Sequence, residues 1–168
     1  LTTYLSVNAS IGEEGEEMLM DATSRNSPVL ASVVSRNGKV AFAYVDVALF
    51  HFGYAEFVDS SMFANTEAAL IQVNATECIY PRGSDIDVGG LFDGSSPLST
   101  SIVATPLTMA DFDCGEGGDC DLMRLLHPNR IKEDLPEDAL AALMGLIKYL
   151  GLMNHDYNLG MFSLHKFD

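Results

Sequence analysis

Apolar and polar residues alternate along this chain in two periods, and the changes from one to the other predict its elements. Val29, Leu30, Ala31, Val33 and Val34, then Val40, Ala41, Phe42, Ala43 and Val45, form two strand-like runs on either side of Arg36-Asn37-Gly38-Lys39. Asn-Gly accepts two successive positive φ values, as a type I′ turn requires, so these runs predict a hairpin. Phe50, Phe52 and Tyr54 recur at every second residue and predict a third strand over 50–57. Ser60 and Ser61 are capping residues ahead of Phe63, Ala69, Leu70 and Val73, whose spacing predicts a helix over 60–73. Residues 77–80 predict a short buried strand, ended by Pro81 because proline has no N–H for the ladder.

Further on, Ile86, Val88, Leu91 and Phe92 predict a short helix within 83–94. The β-branched run 101–105 predicts a buried strand ending at Pro106. A β-α-β crossover of this length favours parallel pairing, so the expected sheet is mixed, an antiparallel three-strand meander continued by parallel strands. The longest helix is predicted over 136–150, with proline at its start, Glu137 and Asp138 where the helix dipole favours anions, and Gly151 past its end. Ala139, Leu140, Leu143, Met144, Ile147 and Leu150 make its apolar face. Residues 161–167 alternate again, as a last strand or an extended exit. The expected fold class is α/β, a ribonuclease-H-like mixed sheet flanked by helices.

The first 28 residues have a different character. Residues 1–10 predict a short strand, Glu13, Glu14, Glu16, Glu17 and Asp21 a solvated charge run, and 23–28 a turn. We expect a peripheral acidic lead-in over 1–28 within a single domain spanning 1–168, a length that can bury a real core. The chain opens on Leu1 and has no basic start or long apolar run of a signal peptide, so it reads as an excised piece.

Charge then narrows the function. Nine basic residues against 24 acidic ones give a formal net charge of −15, which repels a phosphate backbone. Little or no direct nucleic-acid binding is expected, and no run is apolar enough for a membrane span. Three cysteines cannot all pair within one chain, which favours a reducing compartment. Cys114 and Cys120, with His127 beyond, have neither C-x-x-C spacing nor a fourth ligand, so they read as free thiols. Residues 111–121 are acidic and glycine-rich, but Asp111, Asp113, Gly115 and Asp119 fit a calcium loop only in part, with Leu122 where the glutamate belongs. A mobile surface loop is expected there. His51, His127, His155 and His165 have no nucleophile at a catalytic spacing and read as surface residues.

Several strings, taken in order, resemble a known domain. Ala43-Tyr44-Val45-Asp46, Phe52-Gly53-Tyr54-Ala55-Glu56-Phe57, residues 65–73 and Glu77-Cys78-Ile79-Tyr80-Pro81 are similar to the connector domain, domain II, of the MutS family of DNA mismatch repair proteins. The likeness is nearest to the eukaryotic MutS homologue two subfamily. It continues through Met109-Ala110-Asp111-Phe112, residues 121–126, Ile147-Lys148-Tyr149-Leu150 and Asn158-Leu159-Gly160-Met161-Phe162. The resemblance implies a non-catalytic connector between mismatch-binding parts and the lever and ATPase parts of a nuclear parent protein. That parent would bind mismatched DNA, pair with another MutS homologue, and use ATP and magnesium in a domain other than this one, since this chain has no P-loop string. The resemblance also implies a surface for MutL homologues, expected at a short helix around Cys120, Asp121 and Arg124; the other reading of the same helix is a plain amphipathic cover with Leu122, Leu125 and Leu126 buried.

The strand order raises one alternative, a ribonuclease-H-like metal-dependent nuclease. Two-metal phosphoryl transfer needs several converging carboxylates, one of them on the first strand. Residues 30–35 and 101–105 carry none. Asp46 is expected to accept backbone hydrogen bonds at a turn, and Glu67 to be solvated or capping.

Overall fold

The computed structural model describes residues 28–83, 88–94, 101–116, 118–128 and 135–167. The expectations for residues 1–27 and for Ile86 lie outside them. The hairpin forms where the Asn-Gly pair placed it. Strands β1 (Val29–Arg36) and β2 (Lys39–Asp46) pair antiparallel. Asn37 and Gly38 between them have φ values of 53° and 76°, the two positive angles of a type I′ turn. Strand β3 (His51–Val58) completes the meander, and β4 (Glu77–Pro81) lies parallel to β1 on the other side.

Among the described residues the sheet has six strands in the order β5-β4-β1-β2-β3-β6, with β5 (Val103–Leu107) parallel to β4 and β6 (Ser163–Lys166) parallel to β3. This is the mixed α/β sheet expected from the sequence. The pleat divides its side chains between two cores. Leu30, Val34, Ala43, Val45, Phe52 and Ile79 face one, and Ala31, Val33, Val40, Phe42 and Cys78 face the other. Burial on both faces explains why β1 and β2 read as nearly continuous apolar runs.

Helix α1 (Ala64–Gln72) covers the second face with Ala69 and Leu70. It starts four residues later than the serines indicated, because Phe63 takes a left-handed φ of 54° while its ring is buried. Its cap is Asp59, whose carboxylate accepts the backbone N–H groups of Asn65 (3.1 Å) and Thr66 (2.8 Å) and the Thr66 hydroxyl (2.7 Å). Partial burial raises the Asp59 pKa, but the hydrogen bonds from Thr66, Asn65 and Ser60 together outweigh it and hold the group below the ordinary 3.8. A depressed carboxylate contributes stability above its unfolded pKa and loses it as pH falls through the folded one. Asp59→Ala is therefore expected to cost about 1 kcal/mol at neutral pH. In denaturant titrations the gap between wild type and variant should close only below the ordinary aspartate range, and a constant gap would remove Asp59 as the cap.

Helix α2 (Gly118–Leu125) and helix α3 (Glu137–Leu150) lie on the first face. Pro136 precedes α3, and Gly151 ends it with a left-handed φ of 62°. Ala139, Leu143, Met144 and Ile147 are buried as expected, together with Ala142, Gly145 and Leu146. Leu150 is instead exposed, at 39%, and the core takes Leu152 from the next turn.

Two more expectations change. Strand β5 runs two residues later than predicted and includes Pro106, opposite Tyr80. Among the described residues it is an edge strand, where one side of the backbone has no ladder partner, so proline is tolerated and Val103 is 63% exposed. Nor is the acidic stretch a loop throughout. Residues Met109–Phe112 form a 3-10 turn, with the Asp111 carboxylate accepting both the N–H (3.0 Å) and the hydroxyl (2.7 Å) of Thr108. This closes a capping box. Phe112 enters the core against α3.

Candidate docking surface

Helix α2 begins six residues after Phe112, and its own spacing decides which side faces out. Leu122, Leu125 and Leu126 are buried, and Met123 and Arg124 are exposed, with Asp121 half-exposed beside them. Cys120 lies in the same helix, and its side chain is outside the described residues. Asp121 and Arg124 are thus brought to one outward surface, as the three-residue spacing requires.

The C-terminal end of α2 is bonded to the chain ahead of β6. The Phe162 N–H donates to the Leu125 carbonyl (2.9 Å), the His127 N–H to the Phe162 carbonyl (2.8 Å), and the Gly160 N–H to the Arg124 carbonyl (2.9 Å). The Phe162 ring is fully buried, with its centroid 4.7 Å from that of Phe52 and 5.2 Å from that of Phe50. So α2, β3 and β6 meet at one residue. These bonds also put the exposed Met161 beside the end of α2.

The acidic residues weighed for metal catalysis, Asp46 and Glu67, lie on different elements. Asp46 accepts the Leu49 N–H (3.2 Å) at the β2–β3 turn, as the sequence implied. Glu67 lies in the first turn of α1, and neither β1 nor β5 carries a carboxylate. Glu77 on β4 accepts the hydroxyls of Thr105 and Tyr149, both at 2.7 Å. That bond, with smaller effects of burial and the carboxylate charge, raises the Tyr149 pKa. Glu56 pairs with Lys39 at 3.3 Å. Among the described residues, no three His, Cys, Asp or Glu side chains come together to hold a metal ion.

The histidines divide. His127, His155 and His165 are exposed, as expected, while His51 is half-buried. Its ring nitrogens face the Tyr44 hydroxyl (3.2 Å) and the Ser163 hydroxyl (3.0 Å), and its ring centroid lies 4.8 Å from that of His165. The cause is strand register. His51 pairs with Ser163 and Gly53 with His165, and the Tyr44 ring crosses Gly53, where an added Cβ would overlap it. Burial, then the charge of Asp46, raises the Tyr44 pKa. Cys78 is fully buried, and burial pushes its thiol far up, so it is a packing residue.

Comparison with known proteins gives this arrangement a lineage. A family described as MutS domain II matches residues 28–163. The DNA mismatch repair protein MSH2 of Arabidopsis thaliana is 30% identical over 169 residues, covering 95% of this chain and 18% of that protein. The DNA mismatch repair protein msh-2 of Neurospora crassa is 30% identical over 155 residues, covering 84% of this chain and 16% of its own length. MSH2 of Zea mays is 27% identical over 169 residues, with 95% and 18% covered. The chain spans less than a fifth of each of these relatives. With most of its length, from the start of β1 to the start of β6, matched to one domain of mismatch repair proteins, the chain belongs to the MutS family as an MSH2-like domain II.

Proposed function

We propose that this chain is a non-catalytic connector in a DNA mismatch recognition protein. It transmits orientation between the mismatch-binding part and the lever and ATPase parts, and it offers the outward side of α2 to a MutL-type partner. One observation carries the reading. The exposed side of α2 is fixed to the sheet edge through the hydrogen bonds at Leu125, His127 and Gly160 and the buried Phe162 ring. A partner held at Asp121, Arg124 and the neighbouring Cys120 is then mechanically joined to β6, the last strand of the chain. A rigid body with two fixed attachments is what nucleotide-driven reorientation requires. Mismatched DNA, ATP with magnesium, pairing with another MutS homologue and nuclear residence are properties of the parent protein. The charge of −15 supports assigning DNA contact to other domains.

The test uses the full-length parent, loaded on mismatched DNA with nucleotide. Arg124→Glu and Asp121→Arg are each expected to weaken MutL association about tenfold, as for truncation of a well-placed interface charge. Mismatch binding and ATP hydrolysis should stay at wild-type rates. Unchanged MutL association would reject the α2 surface. Incubating the chain with labelled nucleic acid and magnesium or manganese is expected to give no cleavage, and cleavage abolished by Asp46→Asn would replace the connector reading with a nuclease.

A further inference from the structure

A second feature lies on the other side of the acidic connection that leads into α2. The end of β1, the 3-10 turn at Met109–Phe112 and the start of α3 enclose a cleft of about 410 Å³. Val34, Phe112, Leu140 and Ala141 give it an apolar lining, and Met109 stands on its lip, 51% exposed. That volume holds one large aliphatic or aromatic side chain with space around it. Methionine adapts its shape to a guest at little cost. Three carboxylates line the cleft, Asp113, Glu137 and Asp138, against one guanidinium, Arg36. The guanidinium is engaged by Asp138 at 3.2 Å. Lys148 reaches the cleft's border, but its ammonium donates to the main-chain carbonyl of Asp113 (2.6 Å). Asp113 and Glu137 are exposed at the rim. The surrounding charge of −15 adds a field that draws in cations and repels phosphates.

We propose that this cleft receives a short basic segment of a partner protein. An apolar side chain lodges between Phe112 and Met109, and flanking lysine or arginine residues pair with Glu137 and Asp113. The proposal is independent of the α2 docking surface, and the two fail separately.

Cys114 lines the cleft as a half-exposed cysteine and gives a built-in reporter. The probe is a fluorescein-labelled peptide, RRLRR, titrated with the 168-residue chain by fluorescence anisotropy, with RRARR and EELEE as controls. Alkylation of Cys114 by N-ethylmaleimide is followed in parallel by site-resolved mass spectrometry. Saturable binding of RRLRR is expected, about tenfold weaker for RRARR, the usual discrimination when an apolar side chain leaves its pocket, with none for EELEE. Bound RRLRR should slow Cys114 alkylation. Glu137→Lys should weaken binding about threefold to fivefold, as for one rim charge, while Arg124→Glu leaves it unchanged. Equal binding of RRLRR and RRARR without protection of Cys114 would mean diffuse attraction to an acidic surface and would overturn the proposal. Absence of binding by a chain with native circular dichroism would overturn it too. Binding to this chain that disappears in the full-length parent would identify a neighbouring domain as the occupant, again against the proposal.

Discussion

Phe112→Ala is expected to cost the fold about 3–5 kcal/mol, the range for removing a buried phenyl ring and leaving a cavity. The ring is 3% exposed and holds the turn at Met109–Phe112 against α3. It fits there because position 145 has no side chain. A Cβ at Gly145 would stand 2.6 Å from Cδ1 and Cε1 of Phe112 and 3.5 Å from Cδ1 of Ile79. Gly145→Ala alone therefore sets two effects against each other. Helix propensity returns about 1 kcal/mol, and overpacking against a pinned ring removes about 1–3 kcal/mol. The overlap is with the body of the ring, so the loss wins in the wild-type background. With Phe112→Ala already in place the obstacle is gone, and Gly145→Ala should become stabilising. Denaturant midpoints of the four proteins in this cycle should give a coupling of about 1–3 kcal/mol. Strict additivity would show that glycine 145 is not there to admit the ring.

What could be read from the sequence, and what could not, follows the range of the interactions. Asn37-Gly38 and the Pro136 to Gly151 span are local signals, since each depends on backbone angles that its own residues favour. The inward set Leu122, Leu125 and Leu126 is local in the same sense, and with it the outward position of Asp121 and Arg124. The α1 start lies later than the serines indicate because nothing in an aromatic residue announces the left-handed φ of Phe63, and the actual cap, Asp59, sits one residue before the serines. Pro106 ends the expected strand but not the observed one, because its tolerance depends on β5 being an edge strand, which is a property of the whole sheet order. Phe112 was hidden by the acidic residues around it, and only the gap at Gly145 explains its burial. His51 became a half-buried bridge through pairing with Ser163, 112 residues away. The bonds that fix α2 to residues 160–162 are of the same kind.

Phe162→Ala should have a global cost of the same size, about 3–5 kcal/mol for a fully buried ring, but a different local signature. Phe162 packs on Phe50 and Phe52 of the β3 region while its backbone both donates to Leu125 and accepts from His127. Without the ring, the backbone bonds lose the packing that holds them in register, and α2 can open while β1 and β2 stay paired. Opening of this kind lies below the global unfolding free energy and is read by amide exchange. In Phe162→Ala the amides of His127 and Gly160 should exchange well before those of Val33 and Phe42 in the central strands. In Phe112→Ala, matched for global loss, the same two amides should keep their wild-type rank, because their partners at Phe162 and Arg124 are untouched. Phe162→Leu, which keeps most of the apolar volume, should restore much of the order. Uniform loss of protection across the chain in Phe162→Ala would mean that α2 and the sheet edge are joined by other contacts. The route by which a partner on α2 could pull on the last strand would then have to run elsewhere.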